Sequence, residues 1–85
     1  MTKIKVATNY GFDEVKADLA FEMYGLKFYI YRPAQDFCWK IIEYTTGRSV
    51  SGGITKNKTI ATGKKFLKNK GRKEVIDMVK QSPKW

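Results

Sequence analysis

Residues 15–31, VKADLAFEMYGLKFYIY, decide the fold of this chain. Apolar and polar side chains alternate over residues 15–24, which is the pattern of a strand with one buried face. Gly25 is suited to a tight turn, and the alternation resumes over residues 26–31. The stretch therefore predicts two adjacent antiparallel strands.

Further strands are expected on both sides of this pair. Residues 33–36 begin with a proline, which cannot donate to a sheet ladder, so they interrupt the sheet. Residues 37–44 are rich in aromatic and β-branched side chains and predict a third strand. A turn at 45–48 leads to a short edge strand at 49–52, and residues 3–8 are a candidate for one strand more. We expect three to four antiparallel strands.

The hydrophobic period changes after Thr55, a residue whose hydroxyl can cap a helix N-terminus. Apolar residues then recur at steps of three and four, which predicts an amphipathic helix over 56–70 that ends at Gly71. A second, short helix is expected over 72–81, and Pro83 prevents its continuation. The residues predicted to face the sheet from the first helix are Ile60, Gly63, Phe66 and Leu67.

Strands followed by helices predict an α+β fold, with one long and one short C-terminal helix packed on one face of the sheet. Eighty-five residues correspond to a single domain, 1–85. The N-terminus lacks a signal-peptide pattern, and no apolar run reaches the length of about 20 residues that crosses a bilayer. We therefore expect a cytoplasmic protein that does not insert into a membrane.

Histidine is absent and Cys38 is the single cysteine. The commonest general base and the usual zinc-ligand sets are therefore missing, as is a Cys–His nucleophile pair. We expect no enzymatic activity, no cofactor and no metal site.

Charge is distributed unevenly along the chain. Residues 1–46 hold six basic and six acidic side chains, so the net charge of +9 arises entirely in residues 47–85. Residues 56–73 contain eight cations and no anion. A positive potential of this kind attracts polyanions, so a nucleic acid is the expected partner.

A helical wheel places Lys58, Ala61, Lys65 and Lys68 in one row opposite the predicted buried side, and Lys64 borders that row. These lysines are expected to contact phosphates. The alternative is a merely solvated helix face, although such faces usually carry both signs of charge. The predicted nucleic-acid-binding residues are Lys56, Lys58, Lys64, Lys65, Lys68, Arg72 and Lys73.

The sheet face directed away from the helices is a second candidate surface. Its tyrosines and lysines are suited to base stacking, to a protein interface, or simply to cross-strand pairing on an exposed sheet. The residues predicted there are Tyr24, Lys27, Tyr29, Tyr31, Lys40 and Tyr44.

Residues 39–55, WKIIEYTTGRSVSGGIT, resemble small phage and mobile-element proteins of unknown function. The shared pattern is a W-x-[IV] strand, a T-G turn, a short strand ending in glycine, and a threonine that caps a helix. The resemblance implies a βββα core and a phage origin. The double-stranded-RNA-binding domain and the sheet-reading DNA-binding domains of integrases and plant proteins share the strand-to-helix order, but no residue role is transferred from them.

The sequence thus predicts a small basic nucleic-acid-binding protein, a monomer or weak homodimer. Lysines outnumber arginines fourteen to three, so little sequence specificity is expected, and DNA and RNA remain open. The alternative is a phage-type inhibitor or adaptor that binds a host protein through the tyrosine-rich face or the basic helix.

Overall fold

The structure is a computed structural model that describes residues 1–8, 10–33 and 37–81. It contains five strands followed by two helices. The strands are β1 (Thr2–Thr8), β2 (Gly11–Met23), β3 (Leu26–Tyr31), β4 (Trp39–Glu43) and β5 (Ser49–Gly53), and the helices are α1 (Lys56–Lys70) and α2 (Arg72–Gln81).

The strands form one antiparallel sheet in the order β1-β2-β3-β4-β5. The α+β class is confirmed, but the prediction of three to four strands is wrong. The candidate strand at residues 3–8 is real, and its pairing with residues 11–17 extends β2 to 13 residues. The predicted interruption at 33–36 falls mostly outside the described residues, as does Pro83.

A two-residue turn joins β2 and β3, as predicted at Gly25. Tyr24 and Gly25 have φ angles of 56° and 76°. Positive φ at both central residues is the geometry of a type I′ turn, whose twist matches that of the flanking strands.

A β-bulge divides β2 into two parts. The pairing with β3 shifts between Leu19 and Phe21, so Ala20 is an extra residue. An extra residue turns all the following side chains to the opposite face of the sheet. Val15 and Ala17 therefore belong to one hydrophobic cluster, and Phe21 belongs to another.

The helices and the sheet enclose the first cluster, which we name the helix-side core. Leu67 of α1 and Val75 of α2 pack there on four residues of β2, β3 and β4. The rings of Phe21 and Phe28 stack with centroids 4.9 Å apart. The buried members are Phe21, Phe28, Ile30, Ile41, Leu67 and Val75.

The second core lies on the other face of the sheet, beneath the hairpin formed by β1 and β2. Its buried members are Ile4, Val6, Ala17, Tyr29 and Ile42. The hairpin is held over this face by a backbone hydrogen bond of 2.7 Å, which the Ala7 amide donates to the Gly47 carbonyl in the β4–β5 turn. The chain thus has two small apolar cores that share one sheet.

The β4–β5 turn is organised by Glu43, whose side chain is only 2% exposed. Its carboxylate accepts hydrogen bonds from the backbone amides of Thr45 at 2.7 Å and Thr46 at 2.9 Å. A buried charge is tolerated when hydrogen bonds replace its hydration, and these bonds also fix the path of the turn.

Both helices have the predicted bounds. The Thr55 hydroxyl caps α1 by accepting from the Lys58 amide, and Gly71 follows the last residue of the helix with a φ of 86°. Phe66 is an exception to the predicted buried side, because it is 37% exposed. The helix instead rests on the sheet through Thr59 and the small residue Gly63.

Candidate functional site

The orientation of α1 is fixed by close contact with β5. A Cβ atom on Gly63 would lie 3.1 Å from Cδ1 of Ile41 and 3.3 Å from Cβ of Ser51, so little space separates helix and sheet there. The Ser51 hydroxyl also donates to the Thr59 carbonyl over 3.1 Å. These contacts determine which side of α1 faces the solvent.

Lys58, Lys65 and Lys68 project from the solvent side of α1, opposite the buried residues Thr59 and Leu67. We name these three the lysine stripe. All three are exposed, and a rise of about 1.5 Å per residue spreads them over about 15 Å along the helix axis. Ala61, also exposed, lies among them.

Carboxylates of the described residues do not neutralise the lysine stripe. Within the described part of the chain, the ion pairs join the N-terminal amine to Asp18 and Lys70 to Glu74. Neither pair includes a stripe lysine, and α1 has no acidic residue in its first turn. The stripe therefore presents three like charges whose mutual repulsion a bound polyanion would relieve.

Other predicted binding residues of α1 point elsewhere. The Lys64 ammonium is 5.5 Å from the ring centroid of Phe21, on the flank of the helix. Lys56 turns toward Trp39, with its Nζ 5.7 Å from the indole centroid. Lys64 borders the stripe, whereas Lys56 lies at the first position of the helix and turns toward the sheet, so neither extends the row.

Arg72 and Lys73 are exposed, but they belong to α2. That helix also carries Glu74 and Asp77, both exposed, so its solvent surface has mixed charge. The seven predicted residues thus do not form one surface: three share the stripe, Lys64 flanks it, Lys56 turns toward Trp39, and two lie on the second helix.

The tyrosine-rich face is not an open surface as expected, because the β1–β2 hairpin covers it. Tyr29 is 8% exposed in the second core, and its ring lies 5.5 Å from that of Tyr44. Tyr31 and Tyr44 are partly buried against the same core. Base stacking on these rings would require the hairpin to move.

The remaining predicted residues of that face are dispersed. Tyr24 packs against the helix-side core and so lies on the wrong side of the sheet. Lys27 is exposed near the β2–β3 turn, whereas Lys40 is partly buried opposite Tyr31. The set predicted as a second candidate face is therefore not assembled by the fold.

One arrangement was missed by the sequence reasoning. Trp39 lies within cation–π distance of two cations: Cζ of Arg32 is 5.9 Å and Nζ of Lys56 is 5.7 Å from its ring centroid. We name these three residues the Trp39 cluster. They come from the end of β3, the start of β4 and the start of α1, and no local sequence signal brings such distant positions together.

An open groove of about 760 Å³ lies between β1, the β4–β5 turn and α2. Its titratable lining residues are Glu43 and Arg48. The Glu43 carboxylate is already engaged by two turn amides, so it has a structural role. The groove thus brings together no acid–base pair for catalysis.

The described residues form neither a metal site nor a membrane-spanning helix. The described residues contain no group of three or more His, Cys, Asp and Glu side chains that could hold a metal ion. None of their helices has the length and apolar character needed to cross a membrane. Comparisons with protein-family models, curated proteins and solved structures found no match.

Proposed function

We propose that this protein binds nucleic acid through phosphate contacts of the lysine stripe, with little dependence on base sequence. The supporting observation is the row of three exposed lysines on α1 without carboxylate partners in the described structure. Because α1 is packed closely on β5, the row is presented by a rigid element and needs little ordering on binding.

The lysine composition supports the lack of sequence specificity. An ammonium group acts as a point charge, whereas bidentate reading of guanine is mainly the role of arginine. The stripe contains no arginine. We therefore expect duplexes of different sequence to bind with similar affinity, and the affinity to depend strongly on salt.

The decisive measurement is the salt dependence of binding to duplex DNA and duplex RNA. Neutralising about four phosphates, by the stripe and the flanking Lys64, gives a slope of log K against log salt near −4. In the triple variant K58Q/K65Q/K68Q the slope should become shallower by about 2.7. A slope near zero in the unmodified protein would refute the proposal.

A matched control removes the same charge elsewhere. Lys3, Lys16 and Lys80 are all exposed, and they lie on β1, β2 and α2. The variant K3Q/K16Q/K80Q should keep a slope near that of the unmodified protein. Equal changes in the two triple variants would mean that net charge alone determines binding and that the stripe has no special role.

A host protein with an acidic surface is the alternative partner for the same helix. Capture of one polypeptide from lysate that survives nuclease treatment and is lost in K58Q/K65Q/K68Q would favour it. Nucleic acid that is captured from the lysate with the protein, and that nuclease treatment removes, would favour nucleic acid as the partner.

A further inference from the structure

We propose that the Trp39 cluster binds an unpaired nucleotide, with the base stacked on the indole of Trp39 and a phosphate held by Arg32 and Lys56. This inference rests on the proposed function and deepens it, because it predicts a preference for single-stranded over duplex nucleic acid. The lysine stripe alone would give no such preference.

The indole is covered on one side by α1 and not by β5. Trp39 is the first residue of β4 and pairs with Gly53, while the next residue, Lys40, pairs with Gly52. Two consecutive glycines thus lie opposite the start of β4, and α1 occupies the space at Gly53, where an added Cβ atom would lie 2.7 Å from the Thr59 hydroxyl oxygen. The indole packs partly on the helix-side core and remains partly exposed.

The two cations of the cluster attract an anion together. Both lie within 6 Å of one ring centroid, on side chains that are exposed. The ion pairs of the described residues, Met1–Asp18 and Lys70–Glu74, involve neither of them. A cation near the indole attracts an anion, a second one near the same ring adds to this attraction, and an arginine can bind phosphate in bidentate fashion.

Two exposed apolar residues lie close to the cluster along the chain. Phe37, two residues before Trp39, is 87% exposed, and Ile54, which directly follows Gly53, is 78% exposed. A planar aromatic ring, two cations and adjacent apolar groups match a ligand that is flat and apolar at one end and anionic at the other. An unpaired nucleotide has this chemistry, and aromatic stacking is a general mode of binding single strands.

The cluster lies at the N-terminal end of the helix that carries the proposed phosphate-binding surface. Lys56 is the first residue of α1, the helix that carries Lys58, Lys65 and Lys68. A strand that follows the stripe toward the N-terminus of α1 reaches the cluster. In a duplex, base pairing and stacking keep the bases from the indole, and only the stripe contacts remain.

Fluorescence of a single tryptophan provides the test. The chain has two tryptophans, Trp39 and Trp85, so the variant W85F leaves Trp39 as the sole emitter. It would be titrated with a 15-nucleotide oligothymidylate, a hairpin duplex of equal phosphate number, inorganic polyphosphate and a tyrosine-phosphorylated peptide. We expect the oligothymidylate to quench Trp39 emission strongly, and the duplex and polyphosphate to bind with little quenching.

Substitutions separate the cluster from the stripe. In the W85F background, R32Q/K56Q and W39L should each weaken oligothymidylate binding by about 5- to 150-fold and change duplex binding much less. The variant W39F should retain most of the affinity because it keeps an aromatic ring. Since Trp39 packs partly on the core, circular dichroism must show that W39L is folded; R32Q/K56Q tests the site without altering the ring.

The outcomes distinguish the two proposals. Absence of binding to every nucleic acid overturns both. Salt-dependent binding of oligothymidylate and duplex with equal affinity and unchanged Trp39 emission overturns the nucleotide site alone. Quenching by the phosphopeptide without quenching by oligothymidylate assigns the cluster to a protein partner and also overturns it.

Discussion

Replacing Gly47 by alanine should destabilise the protein much more than replacing Gly25 by alanine. Both glycines have left-handed backbones, with φ of 69° at Gly47 and 76° at Gly25. A residue with a Cβ atom loses about 1–2 kcal/mol in this conformation. That loss is common to the two variants, so Gly25→Ala serves as the matched control for Gly47→Ala.

The surroundings of the two glycines differ. A Cβ atom at Gly47 would lie 2.6 Å from the Lys5 carbonyl oxygen and 3.0 Å from the Ala7 amide nitrogen, whereas at Gly25 it would meet nothing within 4 Å. The blocking atoms belong to the backbone of a paired strand and cannot rotate away. Overpacking costs about 1–3 kcal/mol, and loss of the bond from the Ala7 amide to Gly47 about 1 kcal/mol more.

We therefore expect the free energy of unfolding to fall by about 1–2 kcal/mol in Gly25→Ala and by about 3–6 kcal/mol in Gly47→Ala. Urea denaturation followed by circular dichroism measures the difference directly. The two variants differ by about 2–4 kcal/mol, and for a domain of this size about 4–8 °C in Tm corresponds to 1 kcal/mol, so the two melting temperatures should differ by about 10–30 °C. Equal losses in the two variants would show that β1 does not approach the β4–β5 turn as described.

Hydrogen exchange adds a local measurement. The Ala7 amide of β1 donates to the Gly47 carbonyl in the β4–β5 turn. Its hydrogen exchange should therefore accelerate in Gly47→Ala by more than the loss of global stability explains. In Gly25→Ala the Ala7 amide should stay protected to the limit set by global stability. Rapid exchange of this amide in the unmodified protein would contradict the docking of the hairpin.

Two further substitutions test the buried turn and the helix cap. Glu43→Gln should lower the free energy of unfolding by about 1–3 kcal/mol, because an amide nitrogen cannot accept from the turn amides that the carboxylate satisfies; an unchanged urea midpoint would show that the turn does not depend on this carboxylate. Thr55→Ala should lower the free energy of unfolding by about 0.5–2 kcal/mol by uncapping α1, while Thr55→Ser, which keeps the capping hydroxyl, should leave it nearly unchanged. If alanine and serine behave alike in thermal melts, the hydroxyl bond to the Lys58 amide is not the stabilising element.

Much of the local structure could be predicted from the sequence. The bounds of α1 and α2 follow from the three- and four-residue spacing of apolar side chains, from the Thr55 cap and from Gly71. These helix signals are carried by residues close in the chain. The β2–β3 turn at Gly25 is local in the same sense. The outward placement of Lys58, Lys65 and Lys68 was also predictable, since it depends only on which side of one helix is apolar.

The features that were missed depend on distant residues. The burial of Tyr29 depends on where the β1–β2 hairpin lies, which is fixed by contacts between β1 and the β4–β5 turn. The Trp39 cluster depends on sheet register, which places Trp39 opposite Gly53 and near Lys56. Alternation along one strand contains no information on either arrangement.

The extra residue at Ala20 has a consequence for how β2 tolerates changes in length. On the two sides of Ala20, the odd-numbered side chains of β2 point to opposite faces of the sheet. Deleting Ala20 would remove this change of face and turn Val15 and Ala17 toward the helices. A one-residue insertion or deletion in β2 therefore exchanges side chains between the helix-side core and the second core. An insertion or deletion in a surface loop would not do this.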